Sequence, residues 1–184
     1  MAVLVENQVK RWTYDDYCRL DDGERHEVID GRLLMAPAPD TWHQNWVGEL
    51  FTIIRRHVKK HHLGQTFVAP VDVVLDATNV VQPDLVFVAA ANGRLVERRG
   101  IMGAPDLHVE IISPASVQTD RYEKKALYAK FGVKEYWIGD PANQSIEVLV
   151  LKNGAHELFC AASGKGRVRS QLLAGLEFDL AEIV

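Results

Sequence analysis

Glu110 stands in the run DLHVEII, an acid among Val109, Ile111 and Ile112, in a stretch whose β-branched content reads as a strand. Burying an unpaired charge is expensive, so a carboxylate placed there needs a cation, a metal or a shifted pKa. Alternation along a strand sends His108, Glu110 and Ile112 to one side and Leu107, Val109 and Ile111 to the other. A second run, PDLVFV, gives Asp84, Val86 and Val88 a common face, with Asp84 at its entrance. If the two runs are neighbours, Asp84 and Glu110 converge, and two carboxylates that close repel unless a cation sits between them. Mg2+, with Mn2+ as a substitute, suits such a pair, because it keeps several waters and takes its remaining ligands from substrate phosphates. A metal held this way activates water and neutralises charge on a phosphodiester in its transition state.

Phosphodiester hydrolysis also benefits from a cation near the developing charge. Asp120, Lys124 and Tyr128 fall at i, i+4 and i+8 on one predicted helix face, and only the short SPASVQT stretch separates that helix from Glu110. Lys124 is therefore the nearest candidate amine, while Lys125 points about 100° away, toward solvent. Each residue also has a plainer reading. Asp84 after Pro83 is common turn chemistry. Glu110 could pair with Arg121, and Glu27 with Arg25 or Arg32 across a hairpin. His43 shares a face with Trp46, Val47 and Leu50 and reads as a core or boundary histidine; His108 reads as a partly exposed strand histidine on the Glu110 side. The cluster RRHVKKHH, residues 55–62, could meet phosphates or could be a solvated helix end with favourable cations. Trp42, Trp46 and Trp137 read as core or dimer-interface residues rather than base-stacking platforms.

The elements that must position these groups follow from period and punctuation. Thr13 caps a short helix, with Asp16 as its third residue. Asp30-Gly31 turns a hairpin within RHEVIDGRLLMAP. Residues 40–62 form the strongest helix: Asp40 caps it, apolar residues repeat from Trp46 to Val58, and Gly64 stops it. Strands follow in TFVAPVDVVLD, QPDLVFVA and DLHVEII. A second helix runs over 120–131, with Asp120 and Glu123 as cap and reciprocal residue and Gly132 as its end. KEYWIGD, SIEVLVL and HELFCAA are further strands, the last two joined at Asn153-Gly154, and the tail returns apolar residues to the core. The expected fold is α+β, close to α/β: one domain over 1–184, with a mixed sheet flanked by helices.

The bulk numbers agree with that size. A chain of 184 residues, 47% hydrophobic and 25% charged, can bury a real core in a single domain. A net charge of −4 argues against a non-specific DNA coat protein, whose affinity rests on counterion release, though not against a local basic groove. No uncharged apolar segment is long enough for a bilayer, and MAVLVENQVK is too short and too charged for a secretory signal. Cys18 and Cys160 match no metal or disulfide spacing, so a reduced thiol pair and a cytoplasmic location are expected.

The segments RHEVIDGRLLMAPAP, VQPDLVFV, LHVEIISPAS, DRYEKKALYAKFGVKEYWIGDP and LLAGLEFDL together resemble the Uma-two family of restriction-endonuclease-like proteins, a branch of the PD-(D/E)XK nuclease superfamily. The resemblance runs from about Thr13 to Val184 and is most specific from Glu110 through Pro141. It implies that Asp84 and Glu110 are metal ligands. Two residues after Glu110, where the superfamily has Lys, stands Ile112; the family's lysine has moved to the next helix, at Lys124. Glu27 matches an acidic position before the first hairpin turn and His43 a recurrent histidine position. The resemblance further implies a homodimer and DNA as substrate. The expectation is a Mg2+-dependent endonuclease with Asp84, Glu110, Lys124 and Glu27 as its working residues, and with His43, His108, Asp120 and Tyr128 close behind them. Two alternatives stand beside it: a catalytically silent nucleic-acid or protein-binding module, and a metallohydrolase of small phosphate compounds.

Overall fold

Thr13 caps α1 (Tyr14–Tyr17): its hydroxyl accepts from the Asp16 amide while Asp16 returns the bond to the Thr13 amide. The computed structural model describes residues 10–36 and 38–184; the N-terminal stretch read above for a signal lies mostly outside them. After α1, β1 (His26–Ile29) and β2 (Arg32–Met35) form the expected hairpin. Asp30 (φ 48°) and Gly31 (φ 76°) are both left-handed, as a two-residue hairpin turn requires.

Helix α2 (Thr41–Lys60) starts where expected, with the Asp40 side chain accepting from the His43 amide at 2.8 Å. It buries His43, Trp46, Val47, Leu50, Ile53, Ile54 and Val58. Packing fixes this helix. Burial of one large aliphatic contributes roughly 1.5–3 kcal/mol, more than the ~0.7 kcal/mol a β-branched residue loses in helix propensity. The basic run 55–62 occupies its last turns and the residues just beyond.

The chain then lays down β3 (Gly64–Val68), β4 (Val73–Asp76), β5 (Asn79–Val81), β6 (Leu85–Ala89), β7 (Val96–Glu97), β8 (Gly100–Met102) and β9 (Leu107–Ile111). After the second helical segment come β10 (Glu135–Asp140), β11 (Ser145–Lys152), β12 (Ala155–Ser163), and the short pair β13 (Arg167–Arg169) and β14 (Glu177–Asp179). The strands build two six-stranded mixed sheets, ordered β2-β1-β5-β4-β8-β7 and β12-β11-β10-β9-β6-β3. The fold is α+β with mixed sheet, as expected; among the described residues the strands divide between these two sheets, with β13 and β14 as a separate two-stranded pair. TFVAPVDVVLD is two strands rather than one: a bend at Ala69 and Pro70 sends β3 into one sheet and β4 into the other.

The second sheet is covered on both faces. Leu85, Phe87, Leu107, Val109, Ile111 and Trp137 pack against α2. Val86, Val88, Ile112, Tyr128, Tyr136 and Ile138 pack on the opposite side, with Ile29, Val73 and Ile101 from the first sheet. The alternation read from DLHVEII therefore holds. At Asn153-Gly154 (φ 50° and 81°) the β11–β12 hairpin closes as expected.

The second helical segment departs from its expected start. A widened π turn (Thr119–Lys124) leads into α3 (Lys125–Lys130), so Asp120 lies inside the helix and caps nothing. The Tyr136 hydroxyl donates to the Asp120 carbonyl at 3.0 Å, bonding a backbone acceptor within the irregular turn. Among the described residues no helix is long and apolar enough to cross a membrane.

Candidate active site

Strands β6 and β9 are antiparallel neighbours, with Leu85 opposite Val109 and Val86 opposite His108. One residue further along this register, Asp84 stands opposite Glu110. Paired residues across an antiparallel ladder share a face, so the strand geometry brings the two acids to the same end of the sheet. The Asp84 Oδ2 accepts the Ile111 amide at 2.8 Å and lies 3.1 Å from His43 Nε2.

Glu110 is buried, and its Oε1 takes both a hydrogen bond from the Tyr128 hydroxyl (2.7 Å) and one from Lys124 Nζ (3.1 Å). Lys124 Nζ also lies 3.0 Å from Glu27 Oε2 and 3.2 Å from Asp120 Oδ1. Glu27 reaches the cluster from β1, its other oxygen accepting the Gln82 amide at 2.7 Å. The i, i+4, i+8 spacing through the π turn thus delivers all three of its residues: Asp120 and Tyr128 flank the Lys124 ammonium and the Glu110 carboxylate. The plainer pairings do not form. Arg121 binds Glu147 and Asp140, Arg32 binds Glu123, and the Arg25 guanidinium donates to Gln82.

One ammonium serves three buried carboxylates, with Asp84 close beside them on His43. Burial pushes the Glu110 carboxyl well above the usual range, the charges of Asp120, Asp84 and Glu27 push it further, and Lys124 offsets this only in part. Asp120 is raised for the same reasons, with burial first. Burial works against the Lys124 charge, yet Glu110, Glu27 and Asp120 outweigh it and hold that pKa well above an ordinary lysine's. Burial likewise opposes a charged His43, but Asp84 and Asp40 overcome it and leave His43 raised. Buried Tyr128 is raised well above the phenolic range by burial and then by the Glu110 charge.

His108 shares the face of Glu110 but is fully buried rather than partly exposed, and it makes no polar contact with that residue. Its ring meets Tyr128 edge-on at 4.2 Å, both ring nitrogens lack partners among the described residues, and burial holds its pKa well down. It is a neutral packing group against the site. Trp46 and Trp137 are core residues, whereas Trp42 is exposed. Gln82 had no signal in the sequence. Its amide binds Glu27, and its side chain joins Tyr17, Asp72 and Arg25.

Glu27, His43, Asp84, Glu110, Asp120 and Lys124 all line one cavity of about 500 Å3. Among the described residues, Asp84 Oδ1 and Glu110 Oε2 have no hydrogen-bond donor, their partner oxygens taking every contact. Two free carboxylate oxygens in an acidic cavity are the donor set a hard divalent ion such as Mg2+ accepts. No group of three or more His, Cys, Asp or Glu side chains is arranged to hold a metal by protein ligands alone, again among the described residues.

A family model described as "Putative restriction endonuclease" (Uma2) matches residues 13–181. The chain belongs to the Uma2 family. Among solved structures, this Uma2 chain is similar to one described as "a putative nuclease belonging to DUF820" from Anabaena variabilis ATCC 29413. The two share 22% identity with a TM-score of 0.76, over 93% of this chain and 96% of that one. That likeness establishes a shared fold. No curated protein matches the Uma2 chain.

Proposed function

We propose that this protein is a metal-dependent nuclease that hydrolyses DNA phosphodiester bonds, with Mg2+ as the ion and Mn2+ as a substitute. The observation that carries the reading is the pairing of Asp84 with Glu110 across β6 and β9, each with an oxygen unclaimed, beside a buried lysine in one open cavity. Asp84 and Glu110 would hold the ion. When bound it would lower the pKa of a water and neutralise charge on the phosphodiester.

The chain's own groups do the rest. His43 and the Ile111 amide fix the Asp84 carboxylate in one rotamer by binding Oδ2. Tyr128 and Lys124 fix Glu110 in the same way through Oε1. Lys124 stays charged at any working pH and lines the cavity, so it can stabilise negative charge growing on the phosphoryl oxygens. Glu27, held by the Gln82 amide, orients the ammonium from the other side and is the auxiliary acid of the cluster. The raised Glu110 makes metal binding weaker toward acid, because a protonated carboxyl gives up a ligand.

A second reading is favoured by one observation. Lys124 already bridges Glu27, Glu110 and Asp120, as an internal counterion would in a catalytically silent binding module. Supercoiled plasmid incubated with Mg2+ or Mn2+ separates the two. The nuclease nicks it, and Glu110→Gln or Asp84→Asn lowers the rate by about a hundredfold or more, the scale of losing a principal charge-stabilising group. Nicking that survives both substitutions refutes the proposed site; binding without nicking in the wild type supports the module.

A further inference from the structure

Trp42 is the second residue of α2, next to His43, and is 71% exposed. It lines a second cavity of about 520 Å3, whose walls are apolar at Trp42, Ile112, Pro114 and Pro141 and polar at Asn143 and Gln144. That size and that mixture of an apolar wall with a few polar groups suit a planar organic ligand. Asp40, His43, Ser113 and Pro114 belong to the walls of both this cavity and the carboxylate cavity. The two therefore adjoin, and one ligand can extend through both.

Charge narrows the ligand. No lysine or arginine lines the Trp42 cavity, and only Arg25 and Lys124 line the carboxylate cavity, Lys124 being engaged by three acids. These two cavities therefore have little to offer the counterion release that holds a duplex on a basic groove. A single strand depends less than a duplex on counterion release per phosphate contact, and an aromatic face adds stacking on any base that is unpaired. Met35, also exposed, adds an apolar group to the rim of the carboxylate cavity.

We propose that the substrate is a strand with unpaired bases, one base stacking on Trp42 while a neighbouring phosphate faces Asp84 and Glu110; this rests on the nuclease reading. Trp42 is then a positioning residue that sets which phosphate lies at the acids. Anisotropy of a short labelled oligonucleotide tests it, in Ca2+, an oxygen-seeking ion that can hold the phosphate. Single strand should bind more tightly than the same sequence as a duplex. Trp42→Ala should weaken the single strand about tenfold and leave the duplex unchanged, while Trp42→Phe keeps the affinity.

Preference for duplex, or single-strand binding indifferent to Trp42→Ala, overturns the proposal. So does sedimentation showing a dimer that Trp42→Ala dissociates with no change in oligonucleotide affinity, because a second copy then covers the residue. Plasmid nicking abolished by Glu110→Gln, together with Trp42-independent strand binding, sinks this proposal alone. Trp42-dependent strand binding without any metal-dependent cleavage sinks the nuclease reading and leaves the stacking site standing.

Discussion

Replacing Lys124 by Met keeps most of the buried stem and removes only the ammonium. At 3.0–3.2 Å each of its three contacts is worth roughly 5 kcal/mol gross at an effective dielectric of about 20. Desolvation and repulsion among the carboxylates cancel most of that sum, and breaking a buried ion pair from one side leaves a net loss of about 3–5 kcal/mol. A domain stable by roughly 5–15 kcal/mol survives this, but only just. The loss should depend on pH. Glu110 and Asp120 are carboxyls raised in the fold, so their contribution is present below the ordinary carboxylate range and disappears as pH rises through the raised values. Lys124 is what pulls both down, so the variant raises them further and deepens the alkaline loss. The lysine's own linkage acts only above about pH 10.5 and is flat across neutrality. Urea unfolding followed by circular dichroism at about pH 5 and about pH 8 reads the difference. A variant as stable as wild type at about pH 8, or equally destabilised at both values, refutes the picture of one ammonium restraining several buried acids.

Tyr128→Phe removes the 2.7 Å bond to Glu110 from a fully buried ring and should cost about 1.5–3 kcal/mol in urea unfolding, the range for a hydrogen bond to a charged group. His43→Gln should destabilise most below about pH 6.5: a raised histidine contributes fully below its unfolded value and loses that contribution as pH climbs through the folded one. A gap that widens toward alkaline pH in thermal melts would contradict the His43–Asp84 pairing. Gly139→Ala places a methyl 2.6 Å from Ile111 Cδ1 and 3.2 Å from Trp46, and overpacking there should cost about 1–3 kcal/mol in the same melts.

Much of this was legible because local rules and the final fold agree. Thr13 with Asp16, Asp40 before α2, and the Asp-Gly and Asn-Gly turns are devices whose chemistry acts within four residues. Strand alternation sufficed for Asp84 and Glu110, since the register needed only that the two runs pair. What failed was long-range or had no residue signature. The division of the sheet turns on where β3 and β4 find partners, and a β-branched run looks the same in either sheet. The π turn at Thr119–Lys124 inserts a residue that no capping rule anticipates. Glu27 meets Lys124 only because β1 joins one sheet while the helix packs on the other, a contact that no spacing in the chain encodes.

The cluster is a poor solution if stability were its only task. A structural ion network does best when its charges balance and every lone pair is met. Here Glu27, Glu110 and Asp120 share one lysine with Asp84 beside them, Asp84 Oδ1 and Glu110 Oε2 have no donor among the described residues, and burial raises Glu110 and Asp120. A protonated His43 would remove one excess charge, and a divalent ion would remove the remaining two. Strain of this kind, supported by rigid neighbours on β6, β9 and the π turn, is where local rules give way to function. The surrounding hydrogen bonds reinforce the point. Tyr128, His43 and the Ile111 amide each bind the one oxygen that orients its carboxylate and leave the other open to the cavity, which an inert core has no physical reason to do.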